Sequence, residues 1–335
     1  MKSFMIRYDQ SAQFENVVLM ENVSSCEYFL LDDNEKRPVL EGIDLLVRKG
    51  EAWGITGRSS YEIKLLLEIM ANIRPYEKGR CVLIERGMLR RKRLILKHVF
   101  YICTSEMPYN NMSVLEFLVF AMKKLSGNTV ELQHQLFEFI IDIGLGYLSL
   151  TLNKVLTKEE RAVVTLIAAA YSDSAMIVFN FPDYDFNDVL VDAISKIALF
   201  AREKGKSLIL GTKNSRLIEK ACSHTAVIAD GKIIFKGDVR EFCVKYDNIA
   251  VVIRDKNLEY LQDMLLPLLA GHKLTIKDGS LLISTEDSRP DSPAYIFSKI
   301  SEAGIFPEYM HINPKTVSNA LEEIFARYDL QKQLL

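Results

Sequence analysis

The chain has no Cys-x-x-Cys pair, no clustered histidines, no excess of either charge and no apolar run long enough to span a bilayer. The five cysteines, Cys26, Cys81, Cys103, Cys222 and Cys243, are odd in number and scattered, which fits reduced cytosolic thiols and no structural zinc. His98, His134, His224, His272 and His311 are isolated from one another, so each reads as a surface or internally satisfied side chain rather than a metal ligand. A net charge of −2 gives no electrostatic case for nucleic acid or for wholesale adsorption to a membrane. The longest apolar stretches, such as Val114–Met122, are interrupted by charge and too short to cross a bilayer. The first residues, Met1–Asp9, carry no apolar core of signal-peptide length. The expectation is a soluble, cytoplasmic chain that can still dock on a membrane partner. No internal repeat or low-complexity segment stands out, and 335 residues suffice for two domains.

One segment is informative for what it replaces. Gly54-Ile-Thr-Gly57 ends an apolar strand and leads, through Ser59 and Ser60, into a leucine-rich helix, the setting of a phosphate-binding loop. Such a loop reads G-x-x-x-x-G-K-[ST], so that backbone N–H groups cradle phosphate, the lysine neutralises it and the hydroxyl holds Mg²⁺. Counting from Gly57, Glu62 stands at the second glycine, Ile63 at the lysine and Lys64 at the hydroxyl. Lys64 is one residue late, and one residue on a helix turns a side chain by about 100°, which aims its ammonium away from the cradle. Glu62 places a carboxylate where a polyanion would approach.

Apolar periodicity and turn residues lay out the rest. Strands are expected at Val17–Met20, Gly42–Val47, Arg80–Ile84, Val99–Cys103, Met176–Phe181 and Ser207–Thr212, with a polar loop over 32–38. Helices are expected at Tyr61–Ile73, Ser113–Lys124, Glu131–Ile143, Thr157–Tyr171 and Asn187–Lys204. Their alternation with strands argues a parallel α/β sheet with an inserted helical region at about 104–160. Asp230-Gly231 suits a type I′ turn, closing a hairpin over Ala226–Phe235. Beyond about Val244 the order becomes β-α-β-β-α-β, that of a small ferredoxin-like domain, followed by an amphipathic helix over Thr316–Tyr328. The expected domains are 1–244 and 245–335.

In layout, residues 15 to 242 resemble the ATP-binding domain of ABC transporters. The phosphate-loop strand and helix and the helical insert come first. Leu156-Thr157-Lys158-Glu159-Glu160 then stands where the family writes its LSGGQ signature. Met176–Asn180 followed by Phe181-Pro182 stands where the family writes an apolar strand ending in Asp-Glu-Pro. The segment Leu321–Phe325 resembles the appended C-terminal domain of many bacterial export-type ATPases. The resemblance implies a P-loop NTPase-like fold, and it places Asn180 at the Mg²⁺-holding aspartate, Phe181 at the catalytic glutamate and Lys213 at the γ-phosphate-sensing histidine. The glutamine leading into the insert falls near Thr104. A phenyl ring can neither accept a proton nor order a water, so general-base chemistry is lost at Phe181.

The implied role is a catalytically inactive subunit of an export system with no catalytic residue, cofactor or metal, docked on a membrane permease at the inner face of the membrane. It would pair with itself or with another ATPase subunit and bind no nucleic acid. Two alternatives stay open: a weak ATPase that still takes ATP and Mg²⁺, and a scaffold unrelated to transport. Met107, Tyr109 and Met112 fall where the family receives the coupling helix of its membrane subunit. Tyr28 or Phe29 is placed either to stack adenine or simply to pack. The basic run Arg86–Arg93 reads as a solvated loop, with lipid or nucleic-acid contact as the alternative. Ser59-Ser-Tyr-Glu62 and Thr157-Lys-Glu-Glu160 both have the S/T-x-x-E capping-box form, so each glutamate is expected to reach back to the N–H of its box's first residue.

Overall fold

A computed structural model describes residues 15–30, 36–84, 86–87, 97–107, 109–122, 128–285 and 292–333. Most of the basic run lies outside them. By contacts the chain divides into two units at Lys236/Gly237.

The first unit begins with β1 (Asn16–Ser25), β2 (Tyr28–Leu30), β3 (Lys36–Pro38), β4 (Ile43–Arg48) and β5 (Ala52–Gly57). There follow α1 (Ser60–Met70), β6 (Tyr76–Leu83), β7 (Arg86–Gly87), β8 (Val99–Ile102), α2 (Val114–Met122), α3 (Thr129–Asp142) and α4 (Lys158–Tyr171). The unit continues through β9 (Met176–Asn180), α5 (Asp188–Glu203), β10 (Ser207–Gly211), α6 (Ser215–Ala221) and β11 (His224–Ala229) into β12 (Lys232–Asp238). One sheet has the order β12-β11-β5-β10-β9-β8, with β11, β5, β10, β9 and β8 parallel. The other, β4-β1-β6-β7, is antiparallel.

Burial follows this difference. Every residue of β5, β9 and β10 is buried, as a parallel strand covered on both faces requires, whereas β4 alternates buried and exposed residues. The two-residue period of the strands divides the interior between two cores. Ile177, Phe179, Leu208 and Leu210 pack with α2 to α5, while Met176, Val178 and Ile209 pack with α1 and the antiparallel sheet. The polar segment over 32–38 is not wholly loop, because Lys36–Pro38 pairs with Tyr28–Leu30 as a short hairpin. Asp230 and Gly231 both have positive φ, 48° and 78°, as the expected turn requires. A Cβ on Gly231 would stand 2.4 Å from the carbonyl oxygen of Val39, so the turn is also a close approach that only glycine permits.

The second unit holds α7 (Val239–Tyr246), β13 (Ile249–Arg254), α8 (Leu258–Leu265), β14 (His272–Lys277), β15 (Ser280–Thr285), α9 (Ser292–Glu302), β16 (Tyr309–Ile312) and α10 (Val317–Gln333). The sheet order β14-β15-β13-β16, antiparallel throughout, is that of the ferredoxin-like β-α-β-β-α-β unit. The division falls before residue 244 because α7 packs on α10, with Arg327 over the ring of Tyr246. Asp247 joins these parts. Fully buried, it accepts from the side chains of Asn313 (2.9 Å) and Asn319 (3.1 Å) and from the backbone of Ile249 and Thr316, so no carboxylate oxygen is left without a donor.

Candidate functional site

β5, β9 and β10 end side by side, and the loops leaving their carboxyl ends bring the phosphate-loop segment, Asn180-Phe181-Pro182-Asp183 and Lys213 together. This edge of a parallel sheet is where α/β folds place their ligands.

Only Arg58 and Ser59 separate β5 from α1, so the helix already runs through Tyr61, Glu62 and Ile63. The Oγ of Ser59 accepts from the Glu62 N–H at 3.3 Å, and its carbonyl accepts from the Ile63 N–H at 3.2 Å. Amides that a phosphate cradle would turn toward its ligand are thereby taken up by the helix and its cap. Gly57 is needed for another reason: a Cβ there would lie 2.5 Å from the carbonyl oxygen of Ile228, so it serves strand packing. Gly54 packs closely against Ile218 and Cys222. Ile63, at the lysine position of the motif, is fully buried in the core.

The expected reciprocal box at Ser59 and Glu62 does not form. The serine half is present, but the carboxylate turns away from the Ser59 N–H and accepts from the backbone of Gly231, next to Asp230 and Arg37. Glu62 is 5% exposed, and burial, reinforced by the charge of Asp230, raises its pKa, while Arg37 and the Gly231 bond only partly offset this. The hairpin turn that closes the sheet thus offered the carboxylate a tertiary partner that competes with its own helix. At Thr157 both halves form: Thr157 Oγ1 accepts from the Glu160 N–H (3.1 Å), and Glu160 accepts from the Thr157 N–H (2.8 Å).

Lys64 is ion-paired with Asp183, which also receives a hydrogen bond from the side chain of Ser60 and feels the charge of Lys213. These contacts, led by Lys64, hold the Asp183 carboxyl below its ordinary range. Asp183, three residues past Asn180, is the anion that pairs with Lys64, and reading the sequence alone did not single it out. Its only sequence signal is its place one residue after the Phe181-Pro182 pair. Asn180 is buried and donates from Nδ2 to the Tyr101 hydroxyl (2.9 Å) and the Lys64 carbonyl (3.3 Å), linking β9 to β8 and α1.

Phe181 is buried, with ring centroids 4.7 Å from Phe179 and 4.6 Å from Tyr184. Tyr184 also lies 6.0 Å from Phe186, meets the Ser105 hydroxyl at 3.0 Å and carries the Lys158 ammonium 5.3 Å above its ring. Aromatic packing therefore fills the space beyond β9, and it ties the segment after β8 and the start of α4 to this edge. Leu156 is buried and Glu159 half-buried. Lys213 lines a cleft of about 420 Å³ with Asp185–Asp188 and Asn214–Arg216.

Mg²⁺ does not fit these side chains. The hydroxyl position holds an ammonium already paired with a carboxylate, and the strand end presents an amide and a phenyl ring. Among the described residues no group of three or more His, Cys, Asp or Glu could hold a metal ion. Neither aromatic at the adenine position is a bare platform, since Tyr28 hydrogen-bonds to Glu77 and Phe29 packs between Tyr61 and the Arg37 guanidinium.

Of the three residues expected to meet a partner, Met107 is buried and Met112 half-buried. Tyr109 is exposed and packs edge-on against exposed Phe120, 5.0 Å away. Among the described residues no helix is long and apolar enough to cross a membrane.

No family model matches the chain. The chain is 25% identical over 236 residues to the energy-coupling factor transporter ATP-binding protein EcfA of Methanosarcina acetivorans, covering 67% of this chain and 79% of the relative. It is 22% identical over 216 residues to an uncharacterized ABC transporter ATP-binding protein of Methanocaldococcus jannaschii, covering 61% and 85%. Among solved structures, cbiO1 from Clostridium perfringens, described as part of the ABC transporter complex cbiONQ, superposes with a TM-score of 0.56 at 15% identity, covering 76% of this chain and 97% of that one. The ATP-binding subunit of another ABC transporter gives a TM-score of 0.55 at 14% identity, covering 69% and 93%.

Proposed function

We propose that this chain, an ABC transporter ATP-binding domain by fold and by its curated relatives, works as a catalytically inactive, non-nucleotide-binding subunit of an ABC export system. The observation that carries the reading is the internal occupation of the phosphate site. Helix α1 takes up the amides of Glu62 and Ile63, the buried Glu62 carboxylate at the start of that helix accepts from the Gly231 backbone, and the cation of Lys64 is paired with Asp183. Phosphate binding would have to break that ion pair and free amides already bonded to Ser59 before gaining any contact of its own. Hydrolysis would in addition need a base to activate water, and Phe181 sits among aromatic rings at the position from which the family acts.

In this role the chain contributes surfaces rather than chemistry. It docks on a membrane permease, with exposed Tyr109 and its neighbour Phe120 as the contact pair, and so lies peripheral to the inner face of the membrane. It pairs with itself or with an ATPase-competent subunit. Calorimetry of the purified chain with Mg-ATP tests the reading, and the expected result is no binding heat. Micromolar affinity, or turnover that Lys64→Ala abolishes, would replace this reading with that of a weak ATPase.

A further inference from the structure

Helix α3 has two apolar faces, and the core uses only one. Leu132, Leu136 and Ile140 are buried, and Phe139 packs with Tyr171 and Phe200 at centroid distances of 5.4 and 4.7 Å. At about 100° per residue, Val130, His134, Phe137 and Ile141 form a second stripe on the opposite side. Val130 is 76% exposed, Phe137 39% and Ile141 50%, so three large apolar side chains face water in line. With His134 between the first two, the four positions are spaced four, three and four residues apart, the spacing of a coiled-coil seam with a histidine at one place. Asn128 caps the helix by accepting from the N–H groups of Val130 and Glu131, so the stripe sits on a fixed, well-packed element.

Charge decides what can cover the stripe. Residues Thr129–Asp142 contain no lysine or arginine, and their three acids, Glu131, Glu138 and Asp142, project within about 40° of one another along one flank. Glu138 is engaged by His134 at 3.3 Å, and the Asp142 backbone carbonyl accepts from Lys196, but this flank is otherwise acidic. In an antiparallel pair of copies this flank would face its own counterpart, acid against acid, and an anionic membrane would be repelled. We infer that the outer face of α3 is a docking site for an amphipathic helix of a partner protein, with an apolar seam that covers Val130, Phe137 and Ile141 and lysine or arginine residues along the acidic flank. This site is separate from the phosphate-loop edge and does not depend on whether ATP binds.

The probe is a fluorescein-labelled helical peptide of about three heptads with leucine at a and d and lysine at e and g, titrated by anisotropy with the full chain. Its counterpart has glutamate at e and g. The wild-type chain is expected to bind the lysine peptide at least about tenfold more tightly than the glutamate peptide. Phe137→Asp with Ile141→Asp is expected to weaken lysine-peptide binding at least about tenfold, and Glu131→Lys with Glu138→Lys to reverse the preference between peptides. All four positions are exposed, and circular dichroism checks that each variant folds. Should the aspartate variant fail to fold, the charge-reversal variant still decides. The proposal is overturned if the wild type does not discriminate between the peptides, or if the variants bind as the wild type does. Dimerisation of the wild-type chain that Phe137→Asp abolishes would also overturn it, as would phosphatidylserine-vesicle binding lost in the same variant.

Discussion

Phe181 is where the structure makes its most demanding prediction. The side chain is 2% exposed and touches Phe179 and Tyr184 at centroid distances of 4.7 and 4.6 Å. Burying a phenylalanine contributes about 1.5–3 kcal/mol, and each aromatic contact adds about 0.5–1.5 kcal/mol. Removing all of it in Phe181→Ala should cost about 3–5 kcal/mol, the usual range for truncating a core phenylalanine. For a unit of this size that lowers the melting temperature by roughly 6–20 °C, at about 2–4 °C per kcal/mol. Phe181→Glu, which restores the family's catalytic residue by identity, should be at least as destabilising and should not hydrolyse ATP. The carboxylate would be buried beside the rings of Phe179 and Tyr184, where desolvating its charge is costly, and the phosphate site would still be occupied from within. Differential scanning fluorimetry and a phosphate-release assay on the two variants decide the matter. If Phe181→Ala melts within a degree or two of the wild type, the aromatic packing does not hold the strand end; if Phe181→Glu turns over ATP, the phosphate site is not occupied from within and the non-nucleotide-binding reading fails.

Three further outcomes are expected. Glu62→Gln keeps an acceptor for the Gly231 N–H without the buried charge. Because burial and Asp230 raise the Glu62 pKa above its ordinary value of 4.5, the folded state holds its proton longer than the unfolded state. The wild type therefore loses stability as pH rises through the folded pKa, and urea midpoints should favour the variant increasingly from acidic to neutral pH; no pH dependence would refute the placement of the carboxylate. Thr157→Ala removes half of a complete capping box and should destabilise by about 0.5–2 kcal/mol, whereas Ser59→Ala removes only a single long bond of 3.3 Å and should cost less, as read in paired urea titrations. A fragment spanning Gly237–Leu335 should fold and unfold cooperatively by circular dichroism, and Asp247→Ala should abolish that transition, because it strips the acceptor shared by Ile249, Asn313, Thr316 and Asn319.

The architecture was largely legible in the linear pattern, and the fold of the solved ABC ATP-binding domains agrees with the layout read there. Uninterrupted apolar runs mark strands buried on both faces, such as Met176–Asn180, and Asp230-Gly231 marks a turn that needs two positive φ values. These are local signals: a strand's period or a turn's backbone conformation is set by neighbouring residues. The departures from the family's motif were legible in the same way, since the identity of a side chain at a motif position, such as Ile63 or Phe181, is read directly from the sequence. Thr157 and Glu160 formed their box because both partners lie within one helical turn.

What only the tertiary structure decided was where the replacement side chains went. Glu62 has the same local pattern as Glu160, yet its carboxylate bonds to Gly231, far away in sequence, because the β11–β12 turn comes close to the start of α1 and offers a buried N–H. Lys64 found Asp183 because α1 and the end of β9 converge at one sheet edge. The division between the units likewise falls before α7, since that helix packs on α10 near the other end of the chain. The residues determined by themselves which elements form and which functional group stands at each motif position, because both follow from local conformation and side-chain identity. Which charge meets which depends on the distance between elements remote in sequence, and no local pattern carries that distance.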